Sequence, residues 1–337
     1  MGKITYLLGA GASFGTRRRD KSNNTIAGAI QRGIPIVNEF ETTIKLYKEG
    51  LLDNTIYDDI QYSVFEDELN WLAEKCHQYP TIDTYAKQLY ITEGIHSENY
   101  TELKNRLSLF LTLIQNKQTR DLRYDGFIAS LIQEGIKFPD EISILSWNYD
   151  SQFEFAFADY LKKDMNTLWK ELNIYSKTFP LTYTANKFGI IKLNGSALLC
   201  DPKSKTLWDP NNTIGNRTRI MMDLYTSGAV NVCNTLSFAW EQDENLVKTI
   251  IDTVQDAEVL IIIGYSFPYV NRNIDRAIIQ NMKRLHTIYI QDPNANSIEE
   301  RFEAVLDPFQ VNLLERKQIK IIKRAYADQF IIPNELS

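Results

Sequence analysis

Five short stretches hold residues suited to chemistry, and each comes directly after an apolar run. They are Gly9-Ala10-Gly11-Ala12-Ser13, Asn148-Tyr149-Asp150, Asn194-Gly195-Ser196, Gly264-Tyr265-Ser266 and Gln291-Asp292-Pro293-Asn294. The first is followed by Gly15, giving G-x-G-x-x-x-G. Small residues after a strand let backbone N–H groups approach a phosphate closely, and the N-terminus of a following helix adds partial positive charge. The full dinucleotide fingerprint is absent, and no acidic residue closes a second strand about twenty residues on. Each stretch alone also reads as a satisfied turn. Five at equivalent ends of apolar runs point to a nucleotide-shaped ligand lying along one edge.

The elements that must position these residues are set by the same runs. Strands are expected at 3–8, 141–147, 189–193, 257–263, 287–290 and 319–322, each a continuous apolar or β-branched segment. Helical spacing intervenes at 153–161, 245–254, 271–283 and from the DPN turn through Val305. Gly33-Ile34-Pro35 marks a turn, and Asn38 is placed to cap the helix EFETTIKLYK. Residues 62–118 read as helical almost throughout, with Asp83 placed to cap a helix through Leu89. The expected fold is α/β, a doubly wound, mostly parallel, Rossmann-like sheet with a helical insertion. Residues 1–49 and 120–337 would form the nucleotide-binding domain. The block 50–119 would be a cap or a surface for a partner or a second copy. Residues 16–25 and 200–240 are polar and read as loops.

Composition narrows the class. The chain has 337 residues, 44% hydrophobic and 24% charged, ordinary for a soluble globular protein. A net charge of −6 argues against general nucleic-acid affinity, and Arg17-Arg18-Arg19 is its one dense basic cluster. Cys76, Cys200 and Cys233 are widely separated, which indicates neither a disulfide framework nor a zinc site. That pattern suits a reducing cytoplasm. No apolar run approaches the roughly 20 residues of a membrane span. The three histidines are His77 at a helix end, His96 in a polar loop and His286 at a strand start.

Taken together, GAGAS, GIP, WNYD, KLNGS, GYS and DPN resemble, in order and rough spacing, the motifs of the Sir2-like superfamily. The match is nearest to the bacterial Sir2-like domains that hydrolyse NAD in antiphage defence. The resemblance implies that Gly9 to Ser13 cradle the NAD diphosphate and that the turn at Pro35 lies beside the nicotinamide ribose. It implies that Asn148 is the essential asparagine, with Asp150 two residues on, a carboxylate that can support the developing positive charge or fix the Asn148 amide. Asn194 and Gly195 would stand at the general-base position, Gly264, Tyr265 and Ser266 on the adenosine side, and Asp292 and Asn294 near the adenine or its ribose.

Nicotinamide is a good leaving group and the transition state resembles an oxocarbenium ion, so positioning the ribose and a water is the main task. Three departures qualify the match. The family's Asp-Phe-Arg after the GIP turn is replaced by Ile36, Val37 and Asn38. The histidine of KLHG is Asn194, and an amide cannot accept a proton near neutral pH. The four-cysteine zinc module of the protein deacylases is missing, so no metal is expected.

The expected activity is therefore NAD+ glycohydrolysis to nicotinamide and ADP-ribose in abortive antiphage defence. Activation would come from a partner encoded in the same operon, such as a HerA-type ATPase or a nucleotide-handling protein, or from homo- or hetero-oligomeric assembly. Neither direct nucleic-acid binding nor membrane association is expected. Three routes remain open at Asn194: water positioned without a side-chain base, a base from elsewhere such as one of the histidines, or binding of NAD or ADP-ribose without cleavage as a sensor or scaffold.

Overall fold

The computed structural model describes residues 2–14, 33–49, 65–117, 121–134, 137–163, 165–177, 183–197, 236–241, 243–325 and 329–336. The expected loop 16–25, the arginine cluster and most of the 200–240 region lie outside the described residues, as do Cys200 and Cys233.

Seven strands form one all-parallel sheet: β1 (Lys3–Leu8), β2 (Ile142–Ser146), β3 (Ile174–Tyr175), β4 (Gly189–Lys192), β5 (Ala257–Ile263), β6 (Thr287–Gln291) and β7 (Lys320–Arg324). Their order is β3-β4-β2-β1-β5-β6-β7. The chain goes to one side of β1 for β2, β3 and β4, and to the other side for β5, β6 and β7. The strand order reverses at β1, and in such sheets ligands bind in the crevice outside the carboxyl ends at that point.

The continuous apolar runs are needed because both faces of the sheet are covered. Tyr6, Leu8, Ile144, Ile261 and Ile263 pack into one core with α5 (Arg123–Leu131), α6 (Gln152–Leu161) and α7 (Met165–Glu171). Leu7, Leu145, Leu260 and Ile262 alternate onto the other face, against α8 (Glu244–Val254), α9 (Arg272–Ile279) and α10 (Ala295–Glu303). Each such fully buried side chain contributes about 1.5–3 kcal/mol. A further helix, α11 (Pro308–Glu315), precedes β7 and opens with an Asp307 capping box.

Between β1 and β2 the chain also forms α1 (Phe40–Lys48), α2 (Glu66–Gln78), α3 (Ile82–Thr92) and α4 (Glu98–Lys117). These share a third core around Phe40, Leu69, Leu72, Ile82, Tyr100 and Phe110. That core also takes Phe40, Ile44 and Tyr47 from before residue 50, and Ala197, Leu236 and Phe238 from far along the chain. Residues on both sides of position 50 therefore share one core.

Two expected caps are corrected. Asn38 lies within a single 3-10 turn (Val37–Glu39), and α1 begins without a side-chain cap. Helix α3 is capped by Thr81, whose hydroxyl accepts from the Thr84 N–H at 3.2 Å, and not by Asp83. Threonine at this position satisfies one of the orphan donors of the first turn, which leaves the Asp83 carboxylate for other partners.

Candidate functional site

A cavity of about 760 Å³ opens at the carboxyl edge of the sheet. That volume suits a small-molecule or cofactor ligand. The tips of β1, β2, β4, β5 and β6 all reach it, through Ala10 and Gly11, Asn148 and Asp150, Asn194, Gly264, Tyr265 and Ser266, and Asp292 and Asn294. Pro35 of the GIP turn also lines it, with Asn38 close by in sequence. Gly9, Ala12, Ser13 and Gly195 do not line it, although the sequence placed them in direct contact with ligand.

The glycine loop is used differently from a simple phosphate cradle. The Gly9 N–H donates to Ile263 O at 3.0 Å, and the Gly11 N–H to Gly264 O at 3.0 Å. The Ala12 and Ser13 N–H groups close a 3-10 turn onto Gly9 O and Ala10 O. Among the described residues this leaves Ala10 as the loop's open N–H donor. The glycines are needed because the tips of β1 and β5 cross at very short range. A Cβ on Gly9 would lie 2.5 Å from Gly264 O, and one on Gly264 would lie 2.4 Å from Ala12 N. Gly264 also has φ +60°, which disfavours any side chain. The loop thus locks two strand tips together and shapes the cavity wall.

Ser13 works behind that wall. Its hydroxyl donates to Asp150 Oδ1 at 2.9 Å and meets the Tyr124 hydroxyl at 2.9 Å. It accepts from Asn148 Nδ2 at 3.1 Å. One hydroxyl proton goes to the carboxylate, so the Tyr124 O–H and the Asn148 N–H donate to the serine oxygen. This wiring fixes the Asn148 amide with its nitrogen inward. Asn148 is 4% exposed, and its Oδ1 has no hydrogen-bond partner among the described residues. Asp150 is equally enclosed; its Oδ1 also accepts from the Gln152 N–H at 3.0 Å. Burial raises the Asp150 carboxyl above its usual range, against the pull of Lys192.

Lys192 is buried and pairs with Glu154 at 3.0 Å, while donating to Asp150 O at 2.5 Å. This ion pair ties β4, α6 and the Asn148-Tyr149-Asp150 turn together. The chain then turns through Gly195, whose φ of +66° calls for glycine. Asn194 donates from Nδ2 to Trp147 O at 3.0 Å, and its Oδ1 is also buried without a partner among the described residues. Leaving a buried acceptor unsatisfied costs roughly 1–3 kcal/mol, so each such group calls for an explanation. Both belong to residues that line the cavity, while the two oxygens themselves are enclosed.

At the other end of the cavity, Tyr265 donates to Asp275, 2.9 Å from each carboxylate oxygen, and accepts from Asn271 Nδ2 at 3.1 Å. Burial pushes the Asp275 carboxyl up to about 8 despite these bonds. Asp292 Oδ1 accepts from the Asn294 N–H at 2.7 Å, and partial burial raises this carboxyl too.

Several lining residues carried no sequence signal. Arg123 of α5 bonds Asp121 at 2.6 Å and donates to Ala12 O at 3.1 Å, placing a cation beside the glycine loop. Arg301 of α10 donates to Ser266 O at 3.1 Å on the opposite rim. Thr81 and Asp83 reach the cavity from α3, and Tyr149 donates its O–H to Asp83 Oδ1 at 3.0 Å. Arginines spaced along a helix give no periodic clue to which strand tip they will meet. Asp83 was legible only as a helix-start residue.

None of the three histidines lines the cavity. His77 pairs with Glu41 at 3.2 Å on the surface, and His286 meets Thr287 at 2.9 Å. Among the described residues no three His, Cys, Asp or Glu side chains gather as a metal site, and no helix is long and apolar enough to cross a membrane. The sequence matches no protein-family model, and no curated protein matches it.

Proposed function

We propose that the protein is an NAD+ glycohydrolase that cleaves NAD+ to nicotinamide and ADP-ribose at this cavity. The observation that carries the reading is the meeting of five polar strand tips at a cavity sized for a nucleotide, with Asn148 and Asn194 in its lining. Amide side chains fixed at such an edge suit ribose hydroxyls and a water, the groups a glycosidic hydrolysis must position. Arg123 and Arg301 supply cationic donors for a diphosphate, together with the Ala10 N–H. Ser266, Asp292 and Asn294 offer the adenosine half polar groups, and Tyr265, buried against Trp147, backs that wall.

The wider reading rests on the Sir2-like motifs. It takes the sheet as Sir2-type with the helical block as an insertion, and the role as cytoplasmic antiphage defence. Activation would come from a partner from the same operon, such as a HerA-type ATPase or nucleotide-handling protein, or from oligomer assembly. A second reading is favoured by one observation: no histidine lines the cavity, and Asn194 cannot accept a proton. On that reading the domain binds NAD or ADP-ribose as a sensor or scaffold without turnover.

An etheno-NAD assay, with and without the operon partner, separates the two. The glycohydrolase reading expects a fluorescence rise together with free nicotinamide. Tight NAD binding by calorimetry with no turnover under any condition would leave the sensor reading instead.

A further inference from the structure

Glycosidic hydrolysis releases a proton from the attacking water, and a positioned base typically contributes about 10²–10⁴-fold. Among the described residues, three carboxylates line the cavity: Asp83, Asp150 and Asp292. Asp150 is buried, and its Oδ1 is occupied by Ser13 and the Gln152 N–H. Asp292 stands at the tip of β6, three strand positions from β2, which at about 4.8 Å per strand is roughly 14 Å away. It is too distant to serve a water held at Asn148.

Asp83 differs from both. Its Oδ1 accepts from the hydroxyl of Tyr149, the residue adjoining Asn148, at 3.0 Å. Thr81 already caps α3, so the carboxylate is not spent on the helix. Among the described residues its second oxygen takes no hydrogen bond, and the residue lines the cavity. Asp83 and the Asn148-Tyr149-Asp150 turn therefore line one cavity and are joined by the Tyr149 bond, which puts a carboxylate within the space a water would occupy there.

We propose that Asp83 is the general base of the hydrolysis, supplied by the helical block in place of the side chain that Asn194 does not provide. The proposal rests on the NAD-hydrolysis reading. The water oxygen bonds to C1′ of the nicotinamide ribose. The C1′–N1 bond breaks with its electron pair going to the ring, which leaves as neutral nicotinamide. The water proton passes to Asp83 Oδ2 and then to solvent, and the other product is ADP-ribose.

The surroundings suit the task. Among the described residues the titratable groups facing Asp83 are Tyr149 from the β2–α6 turn and Cys76 from α2. Burial holds the Tyr149 hydroxyl well above its ordinary range and pushes the Cys76 thiol up to about 12, so both stay neutral. Glu41, which acts on Cys76 from α1, pairs with Lys45 at 2.5 Å. With no cation beside it among the described residues, burial pushes the Asp83 carboxyl up to about 6, and the Tyr149 hydrogen bond opposes that rise. A base with this affinity is ionised at neutral pH and still takes a proton readily.

The test is the pH dependence of etheno-NAD turnover by the full chain, in whichever assembly is active, for wild type, Asp83→Asn and Tyr149→Phe. Wild type should lose activity below about pH 6. Asp83→Asn should lower kcat about 10²-fold with little change in KM, and should abolish that acid limb. Tyr149→Phe removes a bond that favours the ionised form, so its limb should move to higher pH. Asp83→Asn with wild-type kcat, or an unmoved limb in Tyr149→Phe, overturns the assignment. The Tyr149→Phe arm decides if Asp83→Asn does not fold. A wild type with no turnover overturns the hydrolysis reading itself, which distinguishes the two failures.

Discussion

The sheet wall of the cavity and the helical wall facing it hold their polar groups in opposite ways. On the sheet side, Asn148, Asp150 and Asn194 are anchored from behind by Ser13, Tyr124, Gln152 and Trp147 O, and each keeps little freedom. The crossing of the β1 and β5 tips removes the space in which that wall could shift. On the helical side, Asp83 is half-buried, held through one oxygen by Tyr149 and open through the other. One wall is preorganised for binding and the other carries the group able to take a proton. The Tyr149 O–H joins Asp83 to the sheet wall, while α4 is tied to the same side through Gln115 and Thr112, so movement of α3 alone would alter proton transfer before it altered binding.

This contrast can be broken in graded steps. Gly264→Ala attacks the sheet wall where a Cβ would lie 2.4 Å from backbone, at a φ of +60°. We expect a loss of about 2–4 kcal/mol and a Tm lower by several degrees in thermal melts. A melt unchanged from wild type would mean that the two tips cross with room to spare.

Asp275→Asn probes the support behind Tyr265. The Asp275 carboxyl sits at about 8 in the folded protein against 3.8 unfolded, so the folded state retains a proton that the unfolded chain releases. Its stabilising contribution is complete below about pH 4 and is lost as pH rises toward about 8. The asparagine variant should remove up to about 1.4 kcal/mol per pH unit of that decline. Denaturant midpoints between pH 5 and 8 measure it, and parallel curves for the two proteins would contradict it.

Asn194→His is the smallest step. If Asp83 takes the proton, exchanging the Asn194 amide for an imidazole should lower kcat, by about tenfold, and should not raise it. A large gain would place the missing base on the sheet side and collapse the distinction between the walls.

The sheet wall was readable from sequence because a parallel strand buried on both faces needs an unbroken apolar run, and the residues just after that run necessarily lie at the carboxyl edge. EISILSW before Asn148 and AEVLIII before Gly264 carry that signal strongly. The roles of individual residues were less readable. Ser13 resembles a phosphate contact but braces Asn148 and Asp150, because its side chain turns inward from the 3-10 turn. Short elements such as β3, α5 and α7 have too few residues to set a period. The contribution of Asp83 depends on how α3 docks against the β2–α6 turn, which is a tertiary choice. Within the helix, the local pattern of Thr81 and Asp83 signals only a start.

The Asn148 side chain, in the cavity lining at the tip of β2, is the group we expect to position the substrate for cleavage. The most direct test is etheno-NAD turnover by Asn148→Ala beside calorimetric NAD binding. The account predicts a fall in kcat of about 10³-fold with binding retained within about tenfold, because binding is spread along the whole edge. Turnover within a few-fold of wild type would show that the chemistry is not performed at Asn148.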